Sequence, residues 1–245
     1  MLIDAPPARL APRLVLAGAR AAYVGPSMNL APHRNAAATI AVGIAAPFEL
    51  AIAGAPAQRR EIALIPPGAR HHLRGAGPMA FVYLDALSDD LRTLNQADLP
   101  ALRRRLQTWL EAPDAGALAA ALQTPRPGAP DPRMAAIIQA MTWRPDRYPS
   151  AAAAAAEAGL STSRFQKRFR AGASMPFRRY RLWRRMALVV RAVSAGGTLT
   201  DAAMEAGFAS SAHLSAAFRA MFGVAPSDLF ARGLQVQVEP EASVG

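Results

Sequence analysis

Two stretches of the chain decide its fold: Gly159–Phe169 reads GLSTSRFQKRF, and Ala206–Pro226 reads AGFASSAHLSAAFRAMFGVAP. The second stretch repeats the plan of the first. Glu157-Ala158-Gly159 recurs as Glu205-Ala206-Gly207 at an offset of 48, Phe165 and Phe169 recur as Leu214 and Phe218 at an offset of 49, and Pro176 recurs as Pro226 at an offset of 50. Such a run of similar offsets indicates a duplicated structural unit.

Each unit contains the same parts in the same order. A short alanine-rich helix is followed by a glycine, an apolar residue, a serine and a second helix with an apolar pair at i and i+4. The glycine can adopt the positive φ that ends a helix in a tight turn, and the serine can cap the next helix. The apolar pair fixes the second helix to the core and leaves its other face outward. The pattern therefore predicts two helix-turn-helix units.

The outward face of each second helix is the candidate surface for DNA bases. On the first unit it carries Ser163, Gln166, Lys167 and Arg170, and on the second Ser211, Ala212, Ser215 and Ala216. Glutamine can pair with adenine, and lysine or arginine with guanine, whereas alanine offers only methyl contact with thymine. We therefore expect the first unit to discriminate bases more strongly and the second to contribute more backbone and shape contact.

The positive charge is concentrated around the first unit. The 245 residues carry a net charge of +11, which suggests a polyanionic partner. Nearly all basic residues are arginine, and the chain is also rich in alanine, which indicates a general bias in composition. The number of basic residues alone is therefore weak evidence for a polyanionic partner. Between Ser161 and Arg191, however, there are ten basic residues and no acidic one: Arg164, Lys167, Arg168, Arg170, Arg178, Arg179, Arg181, Arg184, Arg185 and Arg191.

A basic helix over 176–193 is predicted to join the two units. Eighteen helical residues span roughly 27 Å, which suits two recognition helices about one DNA turn, roughly 34 Å, apart. One subunit could thus occupy two successive major-groove segments. The candidate phosphate contacts are helix-cap serines and exposed cationic or histidine side chains: Ser161, Arg178, Arg184, Arg185, Ser210, His213 and Arg219.

The first half of the chain predicts strands. Ala37–Ala45, Phe48–Ala53, Glu61–Ile65 and Met79–Asp85 are apolar runs separated by glycine and proline, a pattern typical of a sandwich or barrel. Ser88-Asp89-Asp90 is a candidate helix N-cap, and helical spacing follows up to 122. This helical pair either packs on the sheet or provides a self-association surface, or both. Four prolines within Thr124–Pro132 exclude a helix there and indicate a linker.

Several classes of protein are excluded by composition. With no cysteine, the chain has no disulfide, no Cys-ligated zinc, no iron–sulfur cluster and no thiol nucleophile. The longest uncharged stretch of the first half, Asn35–Phe48, is 14 residues and too short to span a bilayer. We expect a cytoplasmic protein without a membrane partner.

At these residues the chain resembles a known family. The run Gly-Phe…Ser…His-Leu-Ser…Phe-Arg…Phe-Gly-Val…Pro, within Ala206–Pro226, is similar to the C-terminal signature of AraC-type transcription regulators. The resemblance covers about residues 134–232 and implies a double helix-turn-helix domain that binds promoter DNA. It also allows for RNA polymerase, a small-molecule effector and a homodimer as partners. Ala212, Ala216 and Ala217 depart from the polar residues that this helix often carries.

The N-terminal part resembles the cupin-like sensor domain that is often fused to this module. Tyr23–Pro26, Pro32-His33 and Ile65–His71 are similar to its landmarks, and His33, His71 and Tyr83 are candidates for an effector pocket. Alternatively, the histidines form local hydrogen bonds at turns and strand ends. Enzymatic cupins offer a His-x-His pair and a glutamate to a metal, whereas this chain has His33-Arg34-Asn35. We expect no metal, no cofactor and no catalysis.

The predicted fold class is α+β with two domains. A cupin-like β-barrel with a helical pair precedes an all-α domain in which a long helix joins two helix-turn-helix units. The predicted ranges are a cupin-like sensor domain at 1–95, a helical pair at 96–123 that is a candidate for dimerisation, a linker at 124–133, the DNA-binding domain at 134–234 and a tail at 235–245.

The leading functional hypothesis is a sequence-specific, effector-responsive transcription regulator. One alternative is a regulator whose barrel senses nothing and serves only for dimerisation. Another is a metal-dependent cupin enzyme with a helical tail, against which the incomplete histidine set argues. A regulator fused to alkyl-transfer repair is excluded because that chemistry needs a cysteine nucleophile.

Overall fold

The protein combines a sheet-rich N-terminal domain with a helical C-terminal domain in this computed structural model. The structure describes residues 10–17, 20–28, 30–84, 94, 98–122, 132–173 and 175–238. The candidate N-cap at 88–90 and the linker residues 124–131 lie outside these ranges. The predicted α+β class is confirmed.

Two sheets build the N-terminal domain. Its strands are β1 (Arg13–Ala17), β2 (Arg20–Gly25), β3 (His33–Arg34), β4 (Ala38–Gly43), β5 (Phe48–Ile52), β6 (Gln58–Arg60), β7 (Ile62–Ile65), β8 (Arg70–Gly75) and β9 (Met79–Leu84). A further strand, β10 (Gln235–Val238), comes from the other end of the chain. The six-stranded sheet has the order β10-β1-β2-β9-β4-β7, and the four-stranded sheet the order β3-β8-β5-β6. The four strands predicted from apolar runs are confirmed as β4, β5, β7 and β9.

The central strands of the six-stranded sheet are covered on both faces. All six residues of β4 and of β9 are buried. On one face, Phe81 belongs to a hydrophobic cluster that also contains Phe48 and Leu73 of the four-stranded sheet. On the other face, Val82 and Ile40 belong to a cluster with the two helices that follow. Burial on both faces explains why these strands are continuous apolar runs rather than alternating ones.

The predicted helical pair packs on the outer face of the six-stranded sheet. It consists of α1 (Leu99–Glu111) and α2 (Ala115–Leu122). Leu102, Leu106 and Trp109 are buried against the sheet. The indole of Trp109 donates a 3.0 Å hydrogen bond to the carbonyl of Asp114 in the turn between the helices. Packing on the sheet is thus confirmed, while self-association stays a prediction.

Seven helices make up the described part of the C-terminal domain. They are α3 (Pro132–Trp143), α4 (Ala151–Glu157), α5 (Thr162–Ala173), α6 (Phe177–Ser194), α7 (Leu199–Glu205), α8 (Ser211–Phe222) and α9 (Pro226–Phe230). Helix α3 begins inside the range assigned to the linker. Proline is tolerated there because the first residue of a helix needs no N–H donor, so the expectation that no helix includes Pro132 was wrong.

The residues after 234 are not simply a tail. Gln235–Val238 form β10, which pairs in parallel with β1 so that Arg13 lies opposite Gln235 and Leu16 opposite Val238. The assignment of 235–245 to a tail was therefore wrong for residues 235–238. The run QVQV alternates polar and β-branched residues, as an edge strand does. The two domains are joined by this strand as well as by a shared hydrophobic cluster that contains Leu14, Phe81, Trp183 and Phe218.

Within the part of the chain that the structure describes, no helix is both long and apolar enough to cross a membrane.

Candidate nucleic-acid interface

The first unit turns at Gly159, as the sequence predicts. Gly159 has a φ of +64°. The N–H of Gly159 donates to the carbonyl of Ala156 at 3.1 Å, and the N–H of Leu160 donates to that of Ala155 at 2.9 Å. These two bonds form a Schellman motif, which ends α4 and turns the chain into α5. Ser161 accepts a 3.4 Å hydrogen bond from the N–H of Arg164 near the start of α5.

The second unit repeats these bonds at the predicted offset of 48. Gly207 has a φ of +75°, its N–H donates to Met204 at 2.8 Å, and the N–H of Phe208 donates to Ala203 at 2.8 Å. The cap of α8 is Ser210, whose hydroxyl accepts a 3.1 Å hydrogen bond from the N–H of His213. The internal repeat of the sequence is therefore a repeat of hydrogen bonds.

Both second helices present the expected faces. The apolar residues Phe165, Phe169, Leu214 and Phe218 are buried. The predicted base-reading residues of α5, which are Ser163, Gln166, Lys167 and Arg170, are exposed. Those of α8 are exposed at Ala212 and Ala216 and half-buried at Ser211 and Ser215. The first recognition surface therefore offers more polar groups to a ligand than the second.

Two clefts flank the N-terminal half of α6. One, of about 900 Å³, lies between α6 and α5, and Gln166, Lys167 and Arg170 line it. The other, of about 540 Å³, lies between α6 and α8, and His213 lines it. Arg178 and Arg181 line both clefts. The basic helix thus presents positive charge between the two recognition helices.

Two of the predicted phosphate contacts on α6 have internal roles. Arg184 is 2% exposed, and its guanidinium donates a 2.7 Å hydrogen bond to the carbonyl of Thr142 near the end of α3. Its assignment as a phosphate contact was wrong, because Arg184 follows Tyr180 and Trp183 on the buried face of the helix. In Arg185, Nε donates a 2.5 Å hydrogen bond to the carbonyl of Ala206, and the guanidinium lies 4.1 Å from the centre of the Phe208 ring.

Arg185 therefore holds the turn of the second unit against α6. Burial and the nearby charge of Arg181 lower the pKa of Arg185 below its usual value. Arg181 has a similar role in the first unit, where it donates a 2.6 Å hydrogen bond to the carbonyl of Pro149, just before α4. Sequence reasoning did not find this function of Arg181. Its spacing of four residues from Arg185 on one helix is the signal that could have found it.

The remaining predicted phosphate contacts are accessible. Arg178, His213 and Arg219 are exposed, as are Ser161 and Ser210. The Nδ1 atom of His213 accepts a 3.4 Å hydrogen bond from the N–H of Ala209. Its ring packs edge-on against Phe208 at a centroid distance of 5.5 Å. His213 is therefore part of the same turn cluster as Arg185 and Phe208.

The two histidines proposed for an effector pocket contact each other. Their ring centroids are 4.3 Å apart, and β3 pairs with β8 so that His33 lies opposite His71. In each ring, Nδ1 donates to the carbonyl two residues earlier, Ala31 at 2.8 Å and Ala69 at 3.0 Å. Burial and the neighbouring His71 lower the pKa of His33 to about 4. Burial also lowers the pKa of His71.

An apolar cavity lies between the two domains. It has a volume of about 70 Å³ and is lined by Tyr83 and Leu16 of the N-terminal domain and by Trp183 and Phe222 of the helical domain. Arg20, Arg184 and Arg191 add positive charge to its walls. Of the three residues proposed for an effector pocket, Tyr83 lines this cavity, whereas His33 and His71 do not. The sequence could not indicate the cavity because its walls come from both domains.

Among the described residues, no group of three or more histidine, aspartate or glutamate side chains is placed to hold a metal ion.

Comparison with known proteins agrees with this geometry. A family model described as a helix-turn-helix domain matches residues 154–232, which include α5, α6 and α8. No curated protein matches the sequence.

Solved structures of ToxT from Vibrio cholerae share the fold of both domains. One is 13% identical with a TM-score of 0.55, covering 87% of this chain and 98% of that chain. Another, described as bound to an unsaturated fatty acid, is 12% identical with a TM-score of 0.53, covering 92% and 96%. A third, bound to (E)-4-(8-methylnaphthalen-1-yl)but-3-enoic acid, is also 12% identical with a TM-score of 0.55, covering 86% and 94%.

Proposed function

We propose that the chain is an AraC-type transcription regulator that binds promoter DNA through both units, and the match of residues 154–232 to a helix-turn-helix domain supports this. One observation carries the proposal. Two capped recognition helices leave their outward faces accessible on either side of a basic helix, and Arg178 and Arg181 line the clefts toward both. This arrangement suits a duplex whose backbone crosses α6 between two major-groove contacts. The proposal assigns the chain a regulatory role and no catalytic one.

The first unit is proposed to select the sequence. Gln166 is exposed on α5 and can form a bidentate pair with adenine, while Lys167 and Arg170 can reach guanine. Ser163 near the start of the helix is a further contact. On α8, Ser211, Ala212, Ser215 and Ala216 offer few hydrogen-bonding groups, so the second unit would depend more on the shape of the groove.

Phosphate contacts are proposed for the exposed cations and the helix starts. Arg178 lies between the units, and Arg219 and His213 are exposed on α8. The caps Ser161 and Ser210 place the first N–H groups of α5 and α8 where they can receive a phosphate. Arg185 and Arg181 are left out of this set, because their guanidinium groups donate to the carbonyls of Ala206 and Pro149 within the domain.

For the effector we propose an apolar molecule with an acidic group, bound in the interdomain cavity. Aromatic and aliphatic side chains line the cavity, and arginines contributed by both domains, Arg20 and Arg191, border it. A carboxylate would be drawn to these cations while its apolar part replaced water in the cavity. The fatty-acid and butenoic-acid complexes of ToxT support this class of ligand. Because the cavity has a volume of only about 70 Å³, the two domains would have to move apart to admit a molecule of that size.

The AraC-type domain also leads us to propose RNA polymerase and a second copy of the chain as partners, with the helical pair as the self-association surface. The cytoplasm is the proposed site of action.

As domain limits we propose 10–122 for the sensor with its helices and 132–234 for the DNA-binding domain.

Selection of bound sequences from random DNA tests the proposed function. We expect a bipartite operator, and gel-shift binding to it should weaken as salt is raised, because phosphate contacts release counterions. The control is the same duplex with both half-sites scrambled. Equal affinity for operator and scrambled duplex, or binding that does not respond to salt, would contradict the proposal.

A further inference from the structure

The interdomain cavity borders the second recognition helix directly. Phe218 and Phe222 of α8 form part of its wall, and Val224 follows just after the helix. Among the described residues that line the cavity, none belongs to α4 or α5. A molecule in the cavity would therefore touch the inward face of the second recognition helix without touching the first.

Three aromatic rings connect the sensor, the connecting helix and the second recognition helix. The Tyr83 ring of β9 lies 5.7 Å from that of Trp183 and 5.8 Å from that of Phe222, and the Trp183 and Phe222 rings are 5.8 Å apart. Each pair is within the range of favourable aromatic packing. Since all three residues line the cavity, a change in cavity occupancy acts on the same rings that position α8.

The end of α8 is also bound to the sensor. Gly223 caps the helix with a φ of +74°, and its carbonyl accepts a 3.0 Å hydrogen bond from the N–H of Ala31. Helix α8 thus contacts the sensor through its inward face at Phe222 and through the main chain at its C-terminus.

The first recognition helix is held by a different set of contacts. The ring of Phe177 in α6 packs against Phe165 at 5.5 Å and against Phe169 at 5.3 Å, and the Phe169 ring lies 5.4 Å from that of Tyr180. These four rings belong to the DNA-binding domain alone. None of these four rings lines the cavity, so the packing that holds α5 is one step removed from a molecule bound there.

We propose that occupancy of the interdomain cavity controls DNA binding by the second helix-turn-helix unit and leaves the first unit unchanged. The inference rests on the proposed function, because it concerns how that DNA binding is regulated. A ligand shifts a conformational equilibrium only by its differential contacts with the two states. Here those contacts are made with α8 and with residues 183–191 of α6, and none of them is made with α5. The first unit would keep its half-site while the second engages or releases its own.

The test uses the full chain and the operator obtained by selection from random DNA. Two further duplexes each have one half-site scrambled, and the half-site whose base preference Gln166→Ala alters is assigned to the first unit. Leu16→Ala removes part of the cavity wall, and Leu102→Ala removes the same atoms from the opposite face of the six-stranded sheet. Ala21→Leu adds atoms to the cavity wall instead.

We expect Leu16→Ala and Ala21→Leu each to change the affinity for the second half-site about 5-fold or more, a typical allosteric coupling. Their affinity for the first half-site should stay within about twofold, and Leu102→Ala should change neither. Hydrogen exchange should rise in residues 211–222 of Leu16→Ala more than in residues 162–173.

Equal changes at both half-sites, or an effect of Leu102→Ala as large as that of Leu16→Ala, would overturn the inference while leaving the proposed function intact. No change at the second half-site with either cavity variant would also overturn it. Failure of the unsubstituted chain to prefer any of these duplexes over scrambled DNA would instead overturn the proposed function.

Discussion

The N–H of Ala31 in the N-terminal domain donates a 3.0 Å hydrogen bond to the carbonyl of Gly223 at the end of the second recognition helix. Gly223 is buried in this contact and has a φ of +74°. A Cβ atom at this position would lie 2.7 Å from the carbonyl oxygen of Ala31 and 2.7 Å from Nδ1 of His33. Only glycine therefore permits both the cap and the close approach of the two domains.

Gly223→Ala should destabilise the protein more than Gly159→Ala. Both glycines have a positive φ, which costs an alanine about 1–2 kcal/mol. An added Cβ meets nothing within 4 Å at Gly159, whereas at Gly223 the collision with the sensor should add about 1–3 kcal/mol. Urea unfolding of the two variants measures the difference. Equal free energies of unfolding for the two variants would show that the N-terminal domain does not make close contact with Gly223.

Gln166→Ala should relax the base preference of the first unit. Loss of a bidentate pair with adenine costs about 1–3 kcal/mol of binding free energy on DNA that has this adenine at the contacted position. It should cost nothing on DNA that has another base there. Competition gel shifts with each of the four base pairs at every operator position measure the preference. A uniform loss on operator and scrambled DNA would contradict the assignment of this face to the bases.

Arg178→Ala should weaken binding to all DNA to a similar extent and reduce the slope of log affinity against log salt by about 1. The matched variant is Arg184→Ala, which removes the same group from a buried position that is 2% exposed. It should lower the free energy of unfolding instead, because the carbonyl of Thr142 loses its donor. An unchanged salt slope in Arg178→Ala would argue against phosphate contact there.

The substitution Arg185→Lys distinguishes a contact that needs only positive charge from one that needs the planar guanidinium group. Lysine keeps the positive charge, so a phosphate contact would survive, but it cannot both stack on Phe208 and donate through a planar group to Ala206. We expect a loss of about 1–2 kcal/mol in binding to the second half-site. The salt slope should not change. Unchanged affinity for both half-sites would restore Arg185 as a simple phosphate contact.

The pair of buried histidines should make stability depend on pH. The pKa of His33 is lowered from 6.5 to about 4 in the folded chain, so between these values the unfolded chain binds more protons. The contribution to stability is complete above about pH 6.5 and decreases as the pH falls toward 4, by about 3 kcal/mol. Urea unfolding at several pH values measures this slope.

His33→Asn is the control for this pH dependence. Its amide can replace Nδ1 as the donor to Ala31 but does not titrate. The variant should therefore show a flatter slope between pH 6.5 and 4 than the unsubstituted chain. The same slope in both proteins would mean that other groups cause the acid sensitivity.

Sequence reasoning predicted the duplicated units because their signals are local. A glycine that ends a helix, a serine that caps the next one and an apolar pair four residues apart act within one turn, so Gly159, Gly207 and Ser210 have the geometry that their neighbours imply. The central strands were equally clear, because burial on both faces makes them continuously apolar.

Contacts between distant segments could not be predicted in this way. Strands β6 and β8 read QRR and RHHLRG, which carry too many polar residues to be distinguished from loops. The burial of Arg184 was hidden by its arginine neighbours, although its spacing from Tyr180 places it on the apolar face of α6. The cavity at Tyr83 depends on the docking of two domains, which no local pattern specifies.

The pairing of β10 with β1 has a consequence for how the protein folds during its synthesis. Leu16 lies opposite Val238, so β1 lacks its second neighbouring strand, and is itself the edge of the sheet, until the whole DNA-binding domain has left the ribosome. Until then the unpaired N–H and C=O groups of β1 form an exposed edge of the kind that promotes misassembly between nascent chains. Completion of the sensor thus waits for the segment that follows the DNA-binding domain, and a nascent chain that stalls before residue 235 would leave both domains without their common strand.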